Sequence, residues 1–261
     1  MIGNKIILKK GGHFQGFKDE VDRNVKTDDE FLSWFDTSTN KQEAFRSGEW
    51  DFAYHIFNQV VDYIGCPNQI TALEIGYGGG RLTCAASRYF SQVIGVDIHN
   101  QSEYVLNLMK ERCVDNVELV TLSSKSFPIS DESIDLVYSF IVFQHLESIE
   151  ILDKYLEECS RVLKKGGVGC IYFGRKSVIS EGRSEKSLYF LDRFFELFLR
   201  KGYLEIESRV NEKNLVLSLS KVRGVLKKHG FIVKNINISR KKIIGQEKKL
   251  GGQYGAVFQK I

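Results

Sequence analysis

The chain has 261 residues, 43% of them hydrophobic and 27% charged, enough for the core of one α/β domain and too few for a second domain of ordinary size. Its 37 basic and 33 acidic residues leave a formal charge of +4, too little by itself to point to nucleic acid. No apolar run reaches the roughly 18 residues of a membrane helix, and the opening MIGNKIILKKGG has too short an apolar stretch for a signal peptide. A cytoplasmic chain without a membrane partner is expected.

The first 66 residues read as an amino-terminal extension. Lys5 to Thr39 has no sustained period, whereas KQEAFRSGEWDFAYHIFNQVVDYIG sets Phe45, Trp50, Tyr54, Phe57, Val61 and Ile64 at helical steps, ending near Gly65 and Pro67. From residue 67 onward, strands and helices alternate. QITALEI, QVIGVDI, VELVTL, IDLVYSF and GGVGCIYF read as strands; LTCAASRYF, SEYVLNLMKERC and SIEILDKYLEECSRVLK read as the helices between them. This rhythm predicts a doubly wound, mostly parallel sheet with right-handed crossovers and all strand carboxyl ends along one edge.

Residues 174–214 interrupt the rhythm. Tyr189, Phe190, Phe194, Phe195 and Phe198 sit where a helix would carry a broad apolar face, which predicts a lid, a self-association surface, or burial against the main domain. LSLSKVRGVLKKHG then reads as a helix capped at Gly230, with FIVKNINI and QYGAVFQK as final strands, the last one antiparallel. The five cysteines, at 66, 84, 113, 159 and 170, have neither Cys-x-x-Cys nor zinc-like spacing and read as buried thiols. No Asp, Glu and His cluster has metal spacing, so a metal-dependent catechol-type reaction is disfavoured.

Gly76, Gly78, Gly79 and Gly80 lie between the first strand and its helix. Glycine there turns the chain sharply and admits a ligand where a Cβ would stand. Asp97 ends the next strand, 21 residues after Gly76, placed to accept both hydroxyls of a ribose. Dinucleotide loops follow Gly-x-Gly-x-x-Gly, but here the third position is Arg81. Glu74 precedes the turn, awkward beside a diphosphate and suited to a cation such as a sulfonium.

ALEIGYGGGRLT, VIGVDIH, FPISDESIDLVYSFIVFQHL and LEECSRVLKKGGVGCIYF follow one another at the usual separations. In these stretches the chain resembles a class I S-adenosylmethionine-dependent methyltransferase of the methyltransferase domain 11 type, strongly over about residues 70–174. The resemblance implies a seven-stranded sheet of order 3-2-1-4-5-7-6 and S-adenosylmethionine as cofactor. It also implies that Glu74, Gly76, Gly78 and Gly80 meet the methionine portion, Asp97 the ribose and Ile98 the adenine. Relatives commonly carry an Asp for the adenine amino group where this chain has Ser123, an acceptor without charge. Asp131 and Asp135 read as structural residues flanking the fourth strand. Ser139 and Phe140 are expected to line the methyl-transfer site.

An oxygen acceptor must lose its proton during transfer, and His145, in FQHL after the fourth strand, is the candidate base. Substrate orientation and a structural role remain open for the same residue. No Asn-Pro-Pro-Tyr or Asp-Pro-Pro-Tyr stretch and no paired cysteines point to methylation of nucleic-acid bases. The expected acceptor is a small molecule or a saccharide hydroxyl. Lys221 to Lys249 holds ten basic residues, among them Arg240, Lys241 and Lys242, against one acid, Glu247. That stretch fits an anionic acceptor, an RNA acceptor or a solvated surface. A catalytically inactive, cofactor-binding partner subunit is a further reading.

Overall fold

In the computed structural model, the strand run Ala72–Ile75 is buried from end to end, because both faces of the sheet it centres are covered. The structure describes residues 13–35, 40–175, 185–196, 201–206, 212–241 and 249–261. Helices α1 (His13–Asn24), α2 (Asp28–Phe35) and α3 (Lys41–Asp51) come first. A turn of π-helix, Phe52–Phe57, and α4 (Asn58–Val60) continue α3. The alternating part is β1 (Thr71–Ile75), α5 (Arg81–Ala86), β2 (Gln92–Asp97), α6 (Ser102–Lys110), β3 (Val117–Thr121), β4 (Ile134–Ser139), α7 (Ile149–Val162) and β5 (Leu163–Gly174). Then follow α8 (Glu185–Glu196), β6 (Tyr203–Glu205), β7 (Leu215–Leu217), α9 (Leu219–Lys228), β8 (Phe231–Lys241) and β9 (Lys249–Lys260).

The main sheet has the order β3-β2-β1-β4-β5-β9-β8, with β9 antiparallel to both of its neighbours. This is the expected seven-stranded, mostly parallel architecture. Period-two alternation sorts each strand between two layers. Leu73 and Val137 join one cluster with Leu152, Leu156, Val222 and Leu226 of α7 and α9. Their neighbours Ala72 and Leu136 face the other way, packing with Phe52, Ile56, Leu82 and Ala85. Phe31 and Leu32 of α2 and Phe45 of α3 form a third cluster with Tyr77, Val105 and Met109. The amino-terminal extension thus packs on the turn between β1 and α5.

Three expectations are corrected. First, α8 buries Leu188 and Asp192, one turn apart, while Phe190 and Phe194 are 74% and 53% exposed. A buried ion pair sets that orientation: Arg175 binds Asp192 through Nε at 2.7 Å and Nη2 at 2.8 Å, and Tyr254 donates its hydroxyl to the same carboxylate. The side chain of Phe195, and Phe198 altogether, lie outside the described residues. Second, Leu217, read as the first residue of the helix that ends at Gly230, belongs instead to β7, paired antiparallel with β6 in a two-stranded sheet. Third, Cys66 and Cys113 are exposed; only Cys84, Cys159 and Cys170 are buried. Asp135 holds β-strand neighbours together, accepting from Thr71 N at 3.0 Å and from Lys164 Nζ at 2.6 Å. Asp131 pairs with Arg161.

Ser218 starts α9 by accepting the Lys221 N–H at 3.1 Å. Ser218→Ala is expected to cost about 1 kcal/mol, read as a lower urea midpoint at unchanged slope. An unchanged midpoint would contradict the cap.

Candidate functional site

The turn after β1 is built on glycines that no other residue fits. Gly76 has φ +78 and Gly78 φ +51, backbone states that L side chains rarely adopt. A Cβ on Gly76 would strike the Val142 side chain, and one on Gly78 would come within 2.9 Å of the Phe35 ring. Gly76 N donates to Val96 O at 2.7 Å, tying the turn to β2. Asp97, at the end of β2, accepts the Gly78 N–H at 2.8 Å on Oδ2 and the Ile98 N–H at 2.6 Å on Oδ1. Each oxygen keeps a further acceptor site. Buried His99 closes the arrangement with Nε2 3.1 Å from Gly78 O, its ring packed among those of Phe31, Phe35 and Tyr77.

These groups open onto a cavity of about 570 Å³. Glu74, Gly76, Gly78, Asp97, Ile98, Phe140 and His145 all line it. Gly80, Ser123 and Ser139 do not. Gly80, with φ +77, faces Met109 and Val105 of α6, so its bareness serves packing. Ser123 is exposed to solvent. Ser139 is buried and spends its hydroxyl on Ile75 O at 2.7 Å, clamping the ends of β1 and β4.

Glu74 is buried under the turn, with Oε2 accepting from Thr83 Oγ1 at 2.6 Å and from the Tyr138 hydroxyl at 3.0 Å. Burial raises its carboxyl from 4.5 to about 7 against those hydrogen bonds and the positive charge of Arg81. A carboxyl that holds its proton better folded than unfolded lends full stability below pH 4.5. That contribution is lost progressively up to about pH 7, by on the order of 3 kcal/mol in total. Glu74→Gln has no such proton, so its stability is expected to fall less than the parent's between pH 5 and pH 8. Equal losses in paired urea titrations would contradict this ionisation.

His145 sits in the segment after β4. Its Nδ1 donates to Glu212 O at 2.6 Å, which fixes the tautomer and leaves the Nε2 lone pair facing the Gln144 amide nitrogen at 3.2 Å. Burial, offset in part by the Glu212 bond, holds its pKa below the ordinary 6.5, so the imidazole is neutral at neutral pH. Ile141, at the cavity wall, has φ +65. For a β-branched residue this is a strained backbone state, of the kind that gathers at functional sites.

Several wall residues carried no sequence signal. Phe17, Leu32, Trp34 and Phe35 cover the cavity from α1 and α2. Asp51, on α3, pairs with Arg81 and lies 3.3 Å from His55 Nδ1. Burial would raise its carboxyl, but the His55 bond and the Arg81 charge together hold it below its ordinary value. Arg240 reaches the wall from β8. Its place in a basic cluster was visible in the sequence, but its approach to the cavity was not.

The family described as "Methyltransferase domain" matches residues 73–171, the stretch from β1 to β5 that carries the turn, Asp97 and His145. An uncharacterized methyltransferase, YcgJ of Bacillus subtilis, is 30% identical over 103 residues, 39% of this chain. That match spans 40% of the curated relative's length. Among solved structures, a SAM-dependent methyltransferase from Aquifex aeolicus superposes with TM-score 0.55 at 16% identity. It covers 85% of this chain and 99% of its own. The PH0226 protein of Pyrococcus horikoshii gives 0.58 at 20%, over 88% and 96%. The fold is therefore that of the class I S-adenosylmethionine-dependent methyltransferase superfamily, a Rossmann-like sheet preceded here by a helical region. Among the described residues, no helix is long and apolar enough to cross a membrane.

Proposed function

We infer that the chain binds S-adenosylmethionine in this cavity and transfers its methyl group to a small-molecule acceptor, at a hydroxyl oxygen. The observation that carries the reading is the turn itself: two glycines at positive φ, a backbone that only glycine holds without strain, set beside Asp97 and Glu74 in one cavity. The donor set suits the cofactor. The free acceptor sites of Asp97 take ribose hydroxyls, Ile98 and Leu122 offer an apolar wall to adenine, and Glu74 offers a carboxyl whose ionised form a bound ammonium or sulfonium would favour. Bound there, the cofactor supplies an electrophilic methyl.

What this chain adds is alignment, water exclusion and a proton acceptor. Phe140 and Val142 bracket the end of β4, and the amino-terminal helices roof the cavity. Once the acceptor hydroxyl displaces the Gln144 amide from it, His145 Nε2 takes the acceptor's proton, while the Glu212 carbonyl holds the ring and favours the imidazolium that forms. A small acceptor is favoured over RNA because the described part of the basic stretch is spread along the length of β8. Lys227 and Lys228 end α9 near the start of β8, and Arg240 stands nine residues further along, roughly 30 Å down the strand.

Incubation with methyl-labelled S-adenosylmethionine and separated small-molecule and RNA fractions of a cell extract tests the reading. Protein-dependent label should enter the small-molecule fraction. Label confined to RNA would favour the other acceptor class and refute this one.

A further inference from the structure

Arg240 lies at the carboxyl end of β8, and β8 runs parallel to β5 because both are antiparallel to β9. That puts the guanidinium at the same sheet edge as the glycine turn. Its main chain is fixed: the backbone N and O lie 3.3 and 3.1 Å from His55 Nε2. The His55 ring stacks on cavity-lining Phe140 at 4.4 Å between centroids. The side chain runs beside Tyr54, with Cζ 5.8 Å from the ring centroid, and Tyr54 stacks on Trp50. Yet Arg240 Nε is buried with no hydrogen-bond partner, and none of the ion pairs among the described residues includes this guanidinium. A buried guanidinium N–H without an acceptor is costly. Asp51, the nearby carboxylate of the cavity wall, is already engaged by Arg81 and His55.

Resting on the cofactor reading above, we propose that Arg240 is the specificity residue for an acceptor that carries a carboxylate. Two parallel N–H donors of a planar guanidinium match the two oxygens of a carboxylate. The guanidinium, a cavity cation without an acid partner among the described residues, balances one negative charge, whereas a phosphate dianion would call for a second, and Arg81 is neutralised by Asp51. The position points to the acceptor: β8 lies on the β4–β5 side of β1, where His55 stacks on Phe140, whereas Asp97 ends β2 on the other side of β1. The aromatic neighbours Phe140 and Tyr54 select an acceptor whose body is apolar or planar.

The test is calorimetry on protein saturated with S-adenosylhomocysteine, using 3-phenylpropanoate, its amide and phenyl phosphate as probes. The acid should bind saturably, the amide at least about tenfold more weakly, and Arg240→Gln should weaken the acid about tenfold or more while leaving the amide unchanged. Arg223→Gln, an exposed basic residue of α9, should leave all three unchanged. No saturable binding of the acid, equal binding of acid and amide, or full affinity for the acid in Arg240→Gln would overturn the proposal. So would tighter Arg240-dependent binding of phenyl phosphate. Loss of S-adenosylhomocysteine affinity in Arg240→Gln alone would reassign the residue to the cofactor's own carboxylate. Failure of the parent protein to bind S-adenosylhomocysteine would instead sink the cofactor reading.

Discussion

Gly76→Ala is expected to weaken S-adenosylhomocysteine binding by about 100-fold or more while the protein stays folded. Alanine at φ +78 costs roughly 1–2 kcal/mol in backbone strain, and its Cβ collides with Val142. The turn must open or Val142 must move, and both stand in the cavity wall. A shift at Gly76 also pulls on the hydrogen bond to Val96 O that sets the turn against β2. Losing about 2.7 kcal/mol from these sources is a hundredfold in affinity. Val142→Ala in the same chain removes the collision but not the strain, so the double variant should recover part of the loss. Calorimetry beside a far-ultraviolet circular dichroism spectrum separates lost binding from lost fold. Parent-like affinity in Gly76→Ala would contradict the role assigned to the turn.

The second large effect concerns His145. Once an acceptor is labelled, His145→Ala should lower kcat by about 10²- to 10⁴-fold, the usual worth of a positioned base, with S-adenosylhomocysteine affinity unchanged. The pH profile carries the finer prediction. Burial holds the imidazole pKa below 6.5, and the neutral form is the active one. The parent's activity should therefore persist down to pH 6.5 and fall only at lower pH, and that acid limb should vanish in the variant. A raised KM with kcat intact would make His145 an orienting residue, leaving the Glu212 bond as its main purpose.

The main sheet was legible because its signals are local. Strands such as ALEI and DLVYS are short, mostly apolar runs between helices of clear period, and the positive φ values of Gly76 and Gly78 fall where glycines cluster. Glu74, Asp97 and His145 were legible for the same reason, since each flanks a strand end at the ligand edge. The remainder depends on contacts between segments far apart in the chain. Asp51 meets Arg81 across 30 residues, and His55 meets Arg240 across 185. The face that α8 presents could not be taken from its aromatics, because Arg175 and Tyr254 pull Asp192 inward instead. Gly80 and Ser139 carry family-like positions, yet their neighbours, Met109 and Ile75 O, use them for packing and clamping. Strand pairing likewise made β6 and β7 out of two three-residue stretches too short to carry a period.

The central claim is that the glycine turn, Glu74 and Asp97 form a seat for a sulfonium nucleoside. Its most direct measurement is calorimetric titration of the unaltered protein with S-adenosylmethionine and S-adenosylhomocysteine. One site per chain, saturating well below millimolar ligand for both and lost in Gly76→Ala, is the predicted result. No heat of binding up to millimolar concentrations of either ligand would contradict it.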